Sequence, residues 1–272
     1  MTCEITPTVV VIVLKGHIGS KITFKKTKHL IDKAFSRPNL KAVCVLIDSG
    51  GGSPVQAEQI AAYFQLRSRE KEVPLFAFAE DSMASGGYLI ACAASQIFVS
   101  PCSVVGSIGA VSVSFCLEEL LARVGVRPRV LTAGARKAGL NPFEAPTAAQ
   151  LEDQMQLLND CHAQFSGWVR EQRAGRLTPA AEEEAFSGAA FIGRRAVELG
   201  LADGTYSVLE ETVSERVGEE GLQFVRVRAA RRRGGLERLA GWLGLGATIA
   251  GGGELPEGGG RLLGRLAGLP LL

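Results

Sequence analysis

The sequence has few of the residues that build metal and redox sites. It contains three histidines and six cysteines among 272 residues, and no two cysteines form a C-x-x-C pair. Zinc and dithiol motifs of the usual spacing are therefore excluded, and we expect no metal and no cofactor. The scattered cysteines, most of them in apolar runs, are typical of buried free thiols in a reducing compartment.

Long hydrophobic runs are also missing. The apolar run at 9–14 is too short for a signal-peptide core or a membrane span, and no other stretch reaches about 18 apolar residues. The formal net charge of +2 gives no argument for a nucleic-acid partner. These features favour a cytoplasmic or peripheral membrane protein, although they do not fix its compartment.

The chain is long enough for one large domain, and its pattern predicts an α/β fold. Strands are expected at 8–14, 43–47, 73–79, 96–99 and 129–131. Those at 43–47 and 73–79 each lead into a turn and then a helix, the first of these helices over 55–69, which indicates parallel pairing. Lysines at 21, 25, 26 and 28 lie around an earlier helix and are interpreted as a solvated face.

The composition changes near Arg226, where five arginines crowd together and two runs of three glycines follow. We therefore expect a domain over 1–225 and a mobile tail over 226–272. Contact of this tail with an acidic membrane surface, or with the substrate groove of a neighbouring subunit, is a less favoured alternative.

Ser85 lies where the 73–79 strand turns into a helix, among small residues. Hydrolases place an exposed nucleophile at such a turn. The pattern is not the five-residue nucleophile elbow, because position 83 is Met and the two glycines follow the serine directly. By itself, the stretch is equally typical of a helix cap.

A second turn, Ser49-Gly50-Gly51-Gly52, follows the 43–47 strand. Successive glycines let backbone N–H groups converge on one point, which suits a phosphate or an oxyanion. A phosphate site would need a lysine beside the glycines, and none is present. The remaining alternative is an ordinary strand–helix turn.

Lys137 is the only lysine after Ser85, and the other cationic side chains there are arginines. Arginine does not lose its proton at working pH and cannot act as a general base. A lysine can do so once burial lowers the pKa of its ammonium. Lys137 is therefore a candidate base, with chance as the alternative explanation.

Taken together, these stretches resemble the signal peptide peptidase A (protease IV) family of serine peptidases, especially its short members of the SohB type. The similarity runs over about 9–213, and the separation of Ser85 and Lys137, 137 − 85 = 52, fits the family. The motifs that carry it are Ser49-Gly50-Gly51-Gly52, Ala84-Ser85-Gly86-Gly87-Tyr88, Val105-Gly106-Ser107-Ile108-Gly109, Ala133-Gly134 with Lys137, and Gly193-Arg194-Arg195-Ala196 leading to Gly200-Leu201-Ala202-Asp203.

The resemblance implies a ClpP/crotonase-like fold of repeated ββα units and a Ser–Lys dyad. Ser85 would be the nucleophile, Lys137 the general base, and the backbone N–H of Gly52 the oxyanion hole. Ser107 would orient the lysine amine; a turn serine bonded to its own backbone is the alternative.

The resemblance also implies the substrate and the assembly. Family members cleave unfolded apolar peptides, including remnant signal peptides, and form homo-oligomers whose sites can be shared between protomers. Gly51, Met83 and Gly86 are expected to line the substrate site. Many family members have an alanine at the position of Met83, and the larger methionine would narrow the substrate pocket.

The helix predicted at 147–172 carries an apolar stripe that is typical of core or of a subunit interface. His162 lies on this stripe and is interpreted as a satisfied packing residue rather than a catalytic one.

Three other functions compete with the peptidase. A ClpP-type Ser-His-Asp peptidase needs a histidine about 25 residues after the serine, by resemblance to that family, but position 110 is Ala. An acyl-CoA hydratase or isomerase would use Gly51 and Gly52 on a thioester carbonyl. A non-catalytic oligomeric scaffold on the same fold is the third alternative.

Overall fold

One sheet of eight strands runs through the residues that the structure describes. This computed structural model describes residues 6–228 except 135 and 138, so most of the expected 226–272 tail lies outside the described residues. The strands are β1 (Thr8–Lys15), β2 (Leu40–Ser49), β3 (Leu75–Ala84), β4 (Gln96–Val99), β5 (Val104–Gly106), β6 (Ala190–Ile192), β7 (Gly204–Thr205) and β8 (Gln223–Arg228). Their order is β6-β5-β3-β2-β1-β8, with β4 placed between β3 and β7.

Helices connect these strands and cover the sheet. They are α1 (Phe24–Phe35), α2 (Pro54–Lys71), α3 (Gly86–Ala91), α4 (Glu118–Arg123), α5 (Ala148–Gln172), α6 (Pro179–Ala185), α7 (Gly193–Glu198) and α8 (Leu209–Val217). The strand pairs are parallel, apart from the antiparallel pair β5–β6. The α/β architecture expected from the sequence is therefore present.

Both faces of the sheet are buried, which explains the continuous apolar sequence of β1. Val10, Ile12 and Leu14 join the large core cluster, which also holds buried residues of α1, α2 and α3. Val9 and Val11 point into a second, smaller cluster with residues of α8. A strand with one solvated face would alternate apolar and polar residues instead.

β3 positions the candidate site. Its residues 76–79 pair with β4, while Ser82, Met83 and Ala84 pair with β5. On its other side, β3 pairs with β2 as far as Ser49 opposite Met83, after a register shift. Because parallel strands end at the same edge of a sheet, the glycine turn after β2 and Ser85 after β3 meet there.

The C-terminal end of α5 is fixed to the sheet by a buried ion pair. The guanidinium of Arg173, only 1% exposed, donates hydrogen bonds to the Gly200 carbonyl and to both carboxylate oxygens of Asp203. Asp203 also accepts a hydrogen bond from the backbone N–H of Ile97 in β4. These contacts tie the helix to the strand beside β3.

The remainder of α5 is less buried than its apolar stripe suggested. Phe165 and Val169 are buried, whereas Leu151 and Met155 are about half exposed. His162 is half-buried, and its Nε2 has no hydrogen-bond partner within the described chain. The first half of this helix is therefore not core, and its role as a subunit interface stays a prediction.

Two parts of the sequence interpretation differ from the structure. The strand expected at 129–131 is irregular backbone. Residues 226–228, expected to begin the tail, instead complete β8, where Arg226 and Arg228 alternate with buried Val227 and pair with β1. Among the described helices, none is both long and apolar enough to cross a membrane.

Candidate active site

Ser85 occupies a strained turn between β3 and α3. Its backbone has φ 51° and ψ −124°, a region that non-glycine residues seldom adopt and that is associated with functional sites. Its N–H donates to the Gly106 carbonyl at 2.7 Å, and its carbonyl accepts the first helical bond from Leu89. The side chain is half-buried, so its hydroxyl is accessible from one side.

The glycine turn lies directly against this serine. A methyl group added to Gly51 would lie 2.9 Å from Ser85 Oγ, and one added to Gly52 would lie 2.1 Å from the Ile18 carbonyl oxygen. Both glycines have positive φ, 104° and 139°. Only glycine therefore fits at either position, and the turn is more specialised than an ordinary strand–helix connection.

Two backbone N–H groups beside Ser85 are free to bind an anion. The N–H of Gly51 is used by Ser49 Oγ at 3.1 Å, whereas the N–H groups of Gly52 and Gly86 find no acceptor within the described residues. Gly52 N lies 3.6 Å from where a Cβ on Gly86 would be. This arrangement can stabilise an oxyanion formed at a carbonyl attacked by Ser85.

The family resemblance implied a donor role for the Gly52 N–H but assigned Gly86 only a lining role. The signal for Gly86 was its place directly after the serine, as the first residue of α3, where a helix leaves its N–H groups without intrahelical acceptors.

Ser107 lies next to the site through the backbone. It follows Gly106, whose carbonyl accepts the Ser85 N–H, and its own N–H donates to the Ala189 carbonyl at 2.7 Å. With a φ of 52° it is, like Ser85, one of four described non-glycine residues that have positive φ. β5 therefore brings Ser107 close to Ser85, as its expected orienting role requires.

Lys137 is exposed in the single chain, whereas Ser85 is half-buried. The lysine lies in an exposed turn, where its backbone N–H donates to the Gly134 carbonyl at 3.1 Å. Its ammonium forms no hydrogen bond or ion pair with any residue that the structure describes. The segment around it, 110–147, is defined here as the arm, and none of its described residues is buried.

Met83 does not line the site in this structure. Its side chain is fully buried in the main core cluster, because β3 continues as a regular strand up to Ala84. The residue that departs from the family pattern therefore contributes to packing beneath Ser85 and is not accessible to a substrate.

A cleft of about 420 Å³ lies beside the glycine turn, and its lining includes Lys15, His17, Lys21, Asp48 and Gly51. Lys15 forms an ion pair with Asp48 at 2.6 Å. The hydrogen bond to Asp48 raises the pKa of Lys15, with further support from the charge of Glu80, so Lys15 stays protonated at neutral pH. The sequence interpretation did not connect Lys15, His17 or Lys21 with Ser85.

Comparison with known proteins identifies a peptidase family and several relatives. A family model described as peptidase family S49 matches residues 67–220. The chain is 38% identical over 218 residues to a Brucella melitensis protein named Na(+)/H(+) antiporter NhaA, covering 79% of this chain and 29% of that protein. It is 28% identical over 197 residues to the probable protease SohB of Buchnera aphidicola subsp. Schlechtendalia chinensis, covering 72% and 63%.

A solved structure shares the fold. It is a lysine mutant of a membrane-bound stomatin-specific protease, 1510-N, in complex with a substrate peptide; the match has a TM-score of 0.50, 16% identity, and coverage of 88% of this chain and 98% of that one. The expected ClpP/crotonase-like α/β fold is therefore confirmed. The chain spans less than a third of the Brucella relative, so that protein's name carries no activity over to it.

Proposed function

The chain belongs to peptidase family S49, and from this premise we propose that it is a serine endopeptidase with Ser85 as its nucleophile. The observation that carries the proposal is the strained turn that presents Ser85 beside the free N–H groups of Gly52 and Gly86. This pairing of a nucleophile with anion donors is what acyl transfer requires.

The proposed reaction proceeds through an acyl-enzyme. Ser85 Oγ attacks the peptide carbonyl while a base takes its proton, and the oxyanion is held by the Gly52 and Gly86 N–H groups. Collapse releases the amine with that proton and leaves an ester on Ser85. Water, deprotonated by the same base, then hydrolyses the ester.

The proposed base is Lys137, acting as the neutral amine with Ser107 accepting a hydrogen bond from it. The ammonium of an exposed lysine has no lone pair with which to take a proton, so Lys137 must become buried, and lose its own proton, in the working enzyme. We propose that a neighbouring protomer provides this burial, and that the Lys137 of one subunit serves the Ser85 of another.

The exposed arm supports this assembly. Val111, Phe115 and Leu131 are 84%, 76% and 89% exposed, although apolar side chains of this size are normally buried. Several large apolar side chains exposed within one segment are typical of a protein–protein contact. The same contact would carry Lys137 out of solvent.

The proposed substrates are unfolded, apolar peptides, of which remnant signal peptides are one source. An extended chain can pair with a strand edge near Ser85 and present its carbonyl to the N–H groups. The small residues around Ser85 leave room for the substrate backbone to approach.

The test is cleavage of unfolded casein and quenched apolar peptides by wild type, Ser85→Ala and Lys137→Ala, each sized in solution. Lys25→Ala is the control, since Lys25 is an exposed lysine on α1 away from the site. We expect both site variants to assemble and to lose activity, while the control cuts normally. Full activity of Lys137→Ala would disprove the lysine base, and an inert wild-type oligomer would disprove the peptidase.

A further inference from the structure

The cleft beside the glycine turn contains an ammonium without an ion-pair partner among the described residues. Lys15 and Asp48 neutralise each other at 2.6 Å, and Lys15 also lies 3.7 Å from Glu80. Lys21 lines the same cleft, and its ammonium has no ion-pair partner among residues 6–228 as described. The cleft therefore presents one ammonium that no carboxylate pairs with and the imidazole of His17.

The loop that carries these groups has a defined shape. The His17 carbonyl accepts hydrogen bonds from the N–H groups of Lys21 and Ile22, at 3.0 and 3.1 Å. Gly16 has φ 105°, and a Cβ there would lie 2.6 Å from Lys21 Cδ, so the stem of Lys21 crosses directly over this glycine. The stem is thereby held against the loop, which lowers the entropy cost of ligand binding.

His17 places the cleft next to the anion donors. A Cβ on Gly52 would lie 2.8 Å from His17 Cε1 and 3.0 Å from His17 Nε2, and Ser20 Oγ lies 3.4 Å from His17 Nδ1. Gly51 lines the cleft and also contacts Ser85. A group bound in the cleft would thus lie close to the peptide bond that Ser85 attacks.

We propose that this cleft binds a carboxylate of the substrate peptide close to the bond that is cut, with Lys21 and His17 as the recognising groups. The carboxylate is either an acidic side chain or the free C-terminus of the peptide. This inference rests on the proposed peptidase function and deepens it, because it adds a charged determinant to an otherwise apolar substrate.

The electrostatics favour an anion over the alternatives. An apolar side chain would leave the Lys21 ammonium without a partner and would desolvate it, while a basic side chain would be repelled. A carboxylate can accept hydrogen bonds from an ammonium and from an imidazole N–H at the same time.

The experiment uses one apolar peptide that the wild-type enzyme cuts. Glu or Gln is placed in turn at each position on both sides of the bond, with both peptide ends blocked. A second series carries the C-terminal carboxylate or its amide at increasing distance from the bond. The measured quantity is kcat/KM for wild type, Lys21→Gln and the matched control Lys25→Gln.

We expect one position, or one terminal distance, at which the carboxylate is preferred about fivefold, as for a partly exposed charge pair. The preference should fall with added salt, disappear in Lys21→Gln and persist in Lys25→Gln. Lys21→Glu should prefer a lysine at that position, which also shows that the altered protein is folded. The series in which the preference occurs identifies the side chain or the terminus as its source.

Two results would overturn the inference: equal rates for carboxylate and amide at every position, or a preference that Lys21→Gln retains. If wild type cuts no peptide, the peptidase proposal fails, but the carboxylate site can still be tested. That test is the binding of fluorescent Glu and Gln peptides to Ser85→Ala. Tighter binding of the Glu peptide that is lost on adding Lys21→Gln supports the carboxylate site, and equal binding rejects it.

Discussion

Gly51 shows how closely the residues of the site are fitted. Its position leaves no space for a side chain, because an added methyl group would lie 2.7 Å from Ser85 Cβ and 2.9 Å from Ser85 Oγ. At the adjacent Gly50 the same methyl group would meet no atom within 4 Å. The two glycines therefore form a matched pair for testing the geometry of the nucleophile.

We predict that Gly51→Ala lowers kcat/KM about 100-fold, since a displacement of about 1 Å of a reacting group can cost that much. Gly50→Ala should keep most of the activity. Peptide cleavage and thermal unfolding of both variants check this. Equal activities of the two variants would show that Ser85 tolerates displacement and would contradict the proposed role of the turn.

Cysteine reactivity gives a second test at this scale. Burial raises the pKa of Cys92 to about 12, and burial likewise raises the pKa of Cys44, whereas Cys102, Cys116 and Cys161 are exposed. Thiolates are the reactive species, so alkylation near pH 8, followed by mass spectrometry, should label the exposed three first. Labelling of Cys44 and Cys92 should require unfolding. Early labelling of either would contradict the packing of β2 or α3.

The sequence was informative about individual residues where the chemistry is local. The positions of Ser85 and of the glycine turn after neighbouring strands were predictable, because a strand–turn–helix pattern and a glycine run describe their own surroundings. The cleft cations were not, because His17 and Lys21 reach Gly52 and Gly51 only through the three-dimensional meeting of β1 and β2 ends. From the sequence alone, Lys21 was interpreted only as one of the lysines on the solvated face around α1.

Among the elements, α5 depends most on a single ion pair. Arg173 is nearly inaccessible and is matched by Asp203 and the Gly200 carbonyl. The exposed pair Arg195–Glu184 offers a comparison, since both of its side chains are more than 40% exposed.

We predict that Asp203→Ala lowers the free energy of unfolding by about 3–5 kcal/mol, because it leaves the buried charge of Arg173 without a carboxylate to balance it. Glu184→Ala should cost less than about 1 kcal/mol, as is usual for exposed pairs. Chemical denaturation of the two variants measures both values. Similar losses would mean that water reaches Arg173 and that α5 is held by its apolar contacts instead.

The positions of strands were predicted well where both faces of the sheet are buried, and poorly at the edge of the sheet. β1, β2 and β4 and the helices α2 and α5 were expected close to their actual positions, since their apolar patterns are long. β8 was missed because, as an edge strand, it alternates arginines with apolar residues, and its composition resembles a basic tail. The 129–131 strand was wrong because a short apolar run in an exposed segment has no partner strand to pair with.

For the whole molecule, the solvent exposure of Lys137 and of the arm supports the proposed assembly. A single chain contains the proposed nucleophile and the anion donors but leaves the proposed base in solvent. Proteins in which one protomer completes the site of another lose activity on dilution as well as by mutation. This behaviour distinguishes a shared site from one formed within a subunit.

We predict that inactive Ser85→Ala and inactive Lys137→Ala, mixed under conditions that exchange subunits, recover activity. Random assembly of equal amounts would restore about a quarter of the sites, since each site takes its serine and its lysine from different subunits. Cleavage assays on the mixture, with light scattering to follow assembly, check this. Mixed oligomers that remain inactive would show that the dyad forms within one protomer.

The pairing of β1 with β8 has a consequence for how the protein is made. Residues 8–13 lie against residues 223–228. The ribosome therefore synthesises the partner of one edge of β1 215 residues after β1 itself (223 − 8). At about 5–20 residues per second this delay is roughly 10–40 s. During that time one edge of nascent β1 is unpaired, and we expect binding by a chaperone, or slow release, to protect it.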